Sequence, residues 1–584
     1  MRLRALATTV LVAVPLALTG LQLSATAAPT ITDVRPTTLV EGQPFQVVGK
    51  VPPRGRPVVL QRHVGKKWKV VDRKRTGQRG RYSFTTGRRL DGCTYADYRV
   101  VAPKHGRQHR VVKAFRERVI KQLATLIAPV DVRPGVAFDL DLYLVPGTKG
   151  RPVRLERRTG DRWVAVAARK LTNTGSATFR DVSMPGTSAS FRVTAPAWKK
   201  LDRVRSKPVP VTARAAEPAP APAIERIPGD VQPDVESRGI LFSRDGRYVA
   251  FVSKATNLHA GDVPGTDDLF LTDRETRTTA HVAGVPAGEW LFLDSITDDG
   301  RFVVFETKAG SLVPGDTNNE TDVFVYDRDL DAVTRESVGT GGVQGDASSS
   351  GGVISADGKQ IEFSSQAQNF RADHRWGTFI RDRVAGTTTL YDKGGYPGIS
   401  DDLRHQVSAS SPSDDACDLN GEADATVHDL ATGTGTRVSI SADFPGSARN
   451  EDFILRVQSP VMSQDRRYVA YAFTDGSFHT SAYVTDRTTG STRRIPVSVA
   501  STSPAEVSIS ADGSRVAVRS GPQVAVSDWM RGQLWTYDVS TPDTHVGGPL
   551  LTADGSAFAF TSTRTDLVPG DTNGAADVYV AHLG

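Results

Sequence analysis

From residue 223 onward the chain runs in short apolar stretches of alternating character, and the stretches recur in a fixed order. An apolar run meets a small residue, then x-Asp-Gly, then a second apolar run, and a later run ends in an Asp-Arg turn. The anchoring aspartates are Asp245, Asp299, Asp357, Asp402, Asp465, Asp512 and Asp554, spaced by about 42 to 63 residues. Alternation of this kind predicts half-buried strands. Recurrence at this period predicts stacked supersecondary units rather than one continuous core.

In the second unit, Ser295-Ile296 leads to Asp298-Asp299-Gly300 and then to Arg301-Phe302-Val303-Val304-Phe305. A loop through Pro314-Gly315-Asp316-Thr317-Asn318 precedes Asp322-Val323-Phe324-Val325-Tyr326-Asp327-Arg328. Asp-Gly between two apolar runs is a tight hairpin signal, because glycine supplies the positive φ that the turn requires. Three hairpins per unit predict a four-stranded antiparallel meander, and seven meanders predict a radially closed β-propeller over 223–584. The last unit stops at Val578-Tyr579-Val580, one strand short. Ile224-Glu225-Arg226-Ile227 has the wording of an outer strand, as in Thr436-Arg437-Val438-Ser439. Residues 223–228 are therefore expected to complete the seventh unit and seal an otherwise open edge.

These units resemble the TolB-type propeller repeat, S-x-D-G-x-x-[IVL]-A-F-x-S followed by D-[IVL]-[FY]-[VLM]-x-D. Arg247-Tyr248-Val249-Ala250-Phe251-Val252-Ser253 carries the likeness best. Unit four departs from it, with Asp402-Leu403-Arg404 lacking the glycine, and unit five has Arg466 in the glycine position. The resemblance implies the fold and leaves the ligand open.

Upstream, two segments copy each other with a displacement of 95 residues. Arg56-Pro57-Val58-Val59-Leu60-Gln61-Arg62 returns as Arg151-Pro152-Val153-Arg154-Leu155-Glu156-Arg157, Trp68 as Trp163, and Phe84 as Phe179. Short alternating runs divided by Gly and Pro turns predict β-sandwiches over 30–116 and 117–214. They resemble bacterial immunoglobulin-like modules, without the two-cysteine and tryptophan core of antibody domains. The two tryptophans are expected to pack on the sandwich edges. The fold class is all-β: two immunoglobulin-like sandwiches, a Pro/Ala linker at 215–222 that holds them away from the body, and the propeller.

Charge divides the same way. Residues 29–215 carry 40 Lys and Arg against 13 Asp and Glu, and residues 216–584 carry 30 against 52. Residues 1–27 have a basic start, an apolar run and Ala25-Thr26-Ala27, the form of a secretory signal. No later stretch is long enough to span a membrane. A secreted, extracellular chain with a basic front suggests an anionic cell-wall polymer as partner of residues 29–215, unless the two halves attract each other; no nucleic acid is expected. Cys93 and Cys417 fall in different predicted domains and are expected to stay unpaired.

One constellation suggests a ligand ion. The loop between second and third strands reads Asp316-x-Asn318-x-x-x-Asp322 in unit two. It reads Asp418-x-Asn420-Gly421-x-x-Asp424 in unit four and Asp571-x-Asn573-Gly574-x-x-Asp577 in unit seven. Oxygen ligands at alternate positions suit calcium, while turn formation and N–H acceptance by the aspartates explain the same residues without a metal. Catalytic residues are not assigned: the chain contains no Gly-x-Ser-x-Gly, His-Glu-x-x-His, phosphate-loop or paired-cysteine pattern. The two-to-three loops and the links between units share one face. Trp290, Arg375, Trp376 and Trp529 are placed there, where aromatics beside carboxylates suit a protein or carbohydrate ligand. The leading expectation is a non-catalytic binding or scaffold protein, and the alternative is a lyase or glycoside hydrolase with its site in the propeller channel.

Overall fold

The computed structural model describes residues 30–583 apart from 36–37, 41–44, 65–66, 87–93, 121, 130–131, 173–174, 200, 214–222, 230, 261–262, 371–376, 392–403, 411–422, 430–431, 433, 440–455, 475–478, 501–504 and 540–549. The signal, the linker, Cys93, Cys417, Arg375, Trp376, Asp418 and Asn420 lie outside the described residues. Strands make up nearly all regular structure, joined by two 3-10 turns at Gln78–Gly80 and Gln368–Phe370. No helix among the described residues is long and apolar enough to cross a membrane.

The chain divides into two compact units, Met1–Ile120 and Lys121–Gly584. In the first, a sheet of Thr30–Arg35, Phe45–Lys50 and Arg81–Thr86 faces a second that contains Thr94–Ala102, Pro57–Val64 and Lys67–Arg75. Alternate residues of both sheets, among them Val47, Val58, Leu60, Phe84, Tyr98 and Val100, form one core. The second unit opens with the same arrangement, its core built on Leu126, Leu140, Leu142, Val153, Leu155, Phe179, Phe191 and Val193. The copied arginines explain themselves here. Arg56 is buried and donates to the carbonyls of Pro52 and Pro103, and Arg151 likewise donates to those of Pro196 and Asp202. Trp68 and Trp163 lie on edge strands beneath the guanidinium groups of Arg99 and Arg192, at 4.3 and 4.2 Å from the ring centroids.

Among the described residues of 223–583 there are seven successive antiparallel sheets of three or four strands, here numbered one to seven, and a two-stranded hairpin of Val338–Gly339 with Val343–Gln344. Sheet one runs Ser237–Phe242, Tyr248–Ser253, Asp268–Asp273, Thr278–Gly284, and sheet two Leu291–Ile296, Phe302–Thr307, Asp322–Asp327, Ala332–Arg335. Sheets three, five and six repeat the four-strand meander from Ser349–Ile354, Arg456–Met462 and Glu506–Ile509. Sheet four shows three strands among the described residues. In sheet seven, Ala223–Ile227 pairs antiparallel with Asp577–His582 as its outermost strand, at the place the sequence indicates.

The Ser/Thr-x-Asp-Gly wording is a hydrogen-bonded device. Ser243 Oγ donates to Asp245 Oδ1, which also accepts the Arg247 N–H at 2.9 Å, while the Tyr248 N–H donates to Ser243 Oγ at 2.8 Å. The same three bonds recur at Thr297/Asp299, Ser355/Asp357, Ser463/Asp465, Ser510/Asp512 and Thr552/Asp554. The glycine matters for space as well as for φ. A Cβ at Gly300 would strike the ring of Tyr248, and one at Gly513 the ring of Tyr468. Arg466 adopts φ +62° without the glycine, so sheet five keeps the turn at some cost in strain.

These turns meet one another. The Asp465 N–H donates to Ala511 O, Ala511 N–H to Ala553 O, Ala553 N–H to Arg244 O, and Asp245 N–H to Asp298 O. Sheets five, six, seven, one and two are thereby linked turn to turn. The two ends of that series come together where Gln464 Nε2 approaches Asp298 Oδ2 at 3.4 Å.

The second sandwich does not stand away from the sheets, as the linker composition suggested. Its strand Leu123–Pro129 pairs in parallel with Ser491–Ala500, the outer strand of sheet five, extending that sheet to seven strands. Ile127 joins a core with Val407, Val427 and Tyr471, and the Arg493 guanidinium donates to Pro210 O. An unpaired outer strand offers a row of free N–H and C=O groups, and here a neighbouring domain takes them up.

Candidate ligand-binding site

At the end of the sheets opposite the Asp-Gly turns, the links and two-to-three loops leave an aromatic platform exposed. Trp290 is 56% exposed and Phe292 47% exposed, and their rings lie 13° from parallel at 6.3 Å. Burying such rings is favourable, so two large near-parallel rings left partly in water are informative. Their position is fixed from beneath. Asp267 pairs with Arg238, whose Nη1 lies 3.0 Å from its carboxylate, and Asp267 also accepts the Leu291 N–H at 3.4 Å. The Arg238 guanidinium and the Lys254 ammonium lie 5.1 and 5.3 Å from the Trp290 centroid. Beside the platform, a cleft of about 640 Å³ between sheets seven and one is lined by Glu236, Arg238, Lys254, Thr256, Asn573 and Gly574, among others.

On the other flank of Phe292 stand two carboxylates. Phe292 is directly opposite Glu306 in the ladder, and Asp294 occupies a bulge two residues on. Glu306 accepts the Gly351 N–H at 3.0 Å and Asp294 the Gly352 N–H at 2.9 Å, both from a second bulge in sheet three. Consecutive amides hold the two carboxyls side by side. Burial raises both above the ordinary carboxylate range, and the charge of Glu306 raises Asp294 further. Sequence reasoning did not find this pair. Its signal is an acid interrupting the apolar run Phe302-Val303-Val304-Phe305, where sheet one has Val252.

The other predicted residues fall elsewhere. Trp529 lies in the turn between Gln523–Asp528 and Gln533–Asp538, donates its indole N–H to Gly513 O at 2.7 Å and packs edge-on against Tyr468. It therefore belongs to the Asp-Gly turn end, not to the face with Trp290, and the expectation for it is corrected. The Asp-x-Asn loops of sheets two and seven sit between second and third strands, and in sheets two and four an arginine meets the described loop aspartates. Arg335 Nη1 is 3.0 Å from Asp316 and 3.5 Å from Asp322, and Arg437 Nη1 is 3.0 Å from Asp424. Asn318 turns its amide nitrogen to Asp322 and Gly345 O. The sheet-two loop therefore does not fit a calcium ion, and in sheet four Asp424 is already paired. In sheet seven, Asp571 accepts from Gln232 and from the Tyr579 hydroxyl, and Asn573 donates to Pro233 O. Burial, then the charge of Asp571, pushes the Asp577 carboxyl up to about 6. Among the described residues no group of three or more His, Cys, Asp or Glu is arranged to hold a metal.

A basic side chain on the fourth strand thus meets the loop aspartate in sheets one, two and four. His281 Nε2 meets Asp268 at 2.8 Å in sheet one, and the spacing from aspartate to basic residue is 13 residues in sheets one, two and four. Each of these basic residues stands in the ladder opposite the residue two beyond its aspartate: His281 opposite Phe270, Arg335 opposite Phe324, and Arg437 opposite Thr426. In sheet seven Arg226 takes that register, opposite Tyr579, although it lies at the other end of the sequence.

No known family pattern matches the chain, and no curated protein matches it. Among solved structures it is similar to a chain of the mitotic checkpoint complex, at 10% identity over 64% of this chain and 96% of that one, with a TM-score of 0.37. It is also similar to a periplasmic gluconolactonase of Pseudomonas aeruginosa, at 16% identity over 68% and 98%, TM-score 0.31. An auxiliary nutrient binding protein of Bacteroides thetaiotaomicron matches at 10% identity over 96% and 98%, TM-score 0.31. Likeness at this level assigns neither ligand nor reaction to this chain.

Proposed function

We propose that residues 223–584 close into a seven-bladed β-propeller that binds a glycan on its Trp290 face. Residues 30–214 are two immunoglobulin-like sandwiches, and the whole is an exported binding protein held at an anionic cell envelope. The observation that carries the binding role is the exposed, near-parallel Trp290–Phe292 pair with polar side chains on both flanks. Sugar rings present apolar C–H faces edged with hydroxyls, and an aromatic face beside Glu306, Asp294 and Thr256 suits both. Closure is supported by the turn-to-turn bonds, by the approach of Gln464 to Asp298, and by Arg226 taking the fourth-strand register.

A glycan array followed by titration calorimetry tests the reading. The expected result is saturable binding of one saccharide class that weakens by roughly tenfold or more in Trp290→Ala, with the melting temperature held. No binding to any glycan, or binding indifferent to that substitution, rejects it.

A second reading, a glycan-cleaving enzyme, draws on the Asp294–Glu306 pair, since carboxyls held partly protonated can serve as general acids. Release of reducing ends from a bound polysaccharide, abolished in Glu306→Gln, would establish it. Binding without product leaves the pair as hydroxyl acceptors.

A further inference from the structure

The seam between the second sandwich and sheets four and five encloses a cleft of about 720 Å³ that the glycan reading does not use. Arg205 and Lys207 enter it from the sandwich, Arg437 from sheet four and Arg487 from sheet five, and no carboxylate lines it among the described residues. Arg437 is already neutralised by Asp424. The other three cations are bound differently. Lys207 Nζ donates to the Thr489 carbonyl at 2.6 Å, and Arg487 Nη1 to the Arg466 carbonyl at 2.7 Å, while Arg205 is exposed to solvent. Among the described residues none of the three meets a carboxylate.

A guanidinium set into a protein cleft without a counter-charge is costly, and Arg487 lies in such a place. Burial, and then the charge of Arg466, lowers its affinity for its proton. Three unneutralised cations converging from two sides call for more negative charge than one carboxylate supplies. The hydroxyls of Thr436 and Ser491 on the same walls add donors. We propose that this cleft is a binding site for a phosphate ester, its dianionic head shared by Arg205, Lys207 and Arg487. Arginine and lysine complement phosphate oxygens through charge-assisted hydrogen bonds. Because the ligands come from both sides of the seam, occupancy also clamps the sandwich to sheet five.

The test uses the full chain with inorganic phosphate and glycerol phosphate, each against chloride at matched ionic strength. A saturable rise in melting temperature of roughly 2 °C or more is expected with both phosphates, because a ligand of the folded state stabilises by mass action. In Arg205→Ala/Lys207→Ala the apparent affinity is expected to fall by roughly tenfold or more. Both side chains are exposed, so the variant should fold, and retained glycan binding at Trp290 serves as the control. Capture of phosphatidylglycerol vesicles that glycerol phosphate competes away would identify the source as a lipid headgroup. Ester binding without vesicle capture would identify a free or polymeric ester. A shift no larger than that with chloride, or one unchanged in the double variant, overturns the proposal. The Trp290 site is separate, so failure here leaves the glycan reading standing.

Discussion

Among single residues, Glu362 is the least comfortable. It sits in the middle strand Gln360–Ser365, is 1% exposed, and neither carboxylate oxygen has a hydrogen-bond partner among the described residues. Burial pushes its carboxyl from the usual 4.5 up to about 8. The folded state therefore binds more protons than the unfolded chain between those values. Stability falls as pH rises through this window, and the penalty is complete above it. Glu362→Gln is expected to melt higher than the parent at pH 8.5, by roughly 5 °C, with the difference closing toward pH 5. A constant difference across that range would show that the acid is not responsible. Residues of this kind were legible only in part. Ile361-Glu362-Phe363 and Phe305-Glu306-Thr307 both break an apolar run, yet each occurs once, and a reading built on repetition passes over what does not repeat. The fourth-strand basic residue was missed for the opposite reason: it repeats, but as Arg in some sheets and His in another, and in sheet two the acids read as ion ligands are clasped by Arg335.

At the level of elements, the hairpin wording was readable because the turn is built from its own residues. Serine, aspartate and glycine complete every bond of the Asp-Gly turn locally, so the text and the structure coincide. The outer strand of sheet seven was readable by the same logic, since Glu225-Arg226-Ile227 repeats a pattern whose partner register is set by the aspartate. Ile227 is 3% exposed and Glu225 forms an ion pair with Arg274 of sheet one. Deleting 223–228 uncovers Asp577–His582 and forfeits about 2–3 kcal/mol from Ile227 alone. A sharply lower melting temperature is expected in thermal denaturation; an unchanged melt would mean the strand is ornamental to stability.

Over the whole molecule, composition indicated a charge division but not the docking of the second sandwich. Parallel pairing of Leu123–Pro129 with Ser491–Ala500 joins segments over 360 residues apart, and no local pattern announces it. The basic side chains Arg154, Arg162, Lys170 and Arg180 remain exposed on the sandwich so docked. If these hold the protein to an anionic envelope, raising salt from about 0.05 to 0.5 M should release it, since the screening length between exposed charges falls from about 14 Å to about 4 Å. Retention in an envelope pull-down that ignores salt would exclude an electrostatic tether.

The contact between Gln464 and Asp298 gives the proposed ring a floor. If the ring closes as proposed, with the turns of sheets two and five meeting across its opening, whatever enters past Trp290 has to leave by the way it came. Such a blind well would accept the terminus or a side branch of a polymer and could not be strung along its backbone like a bead.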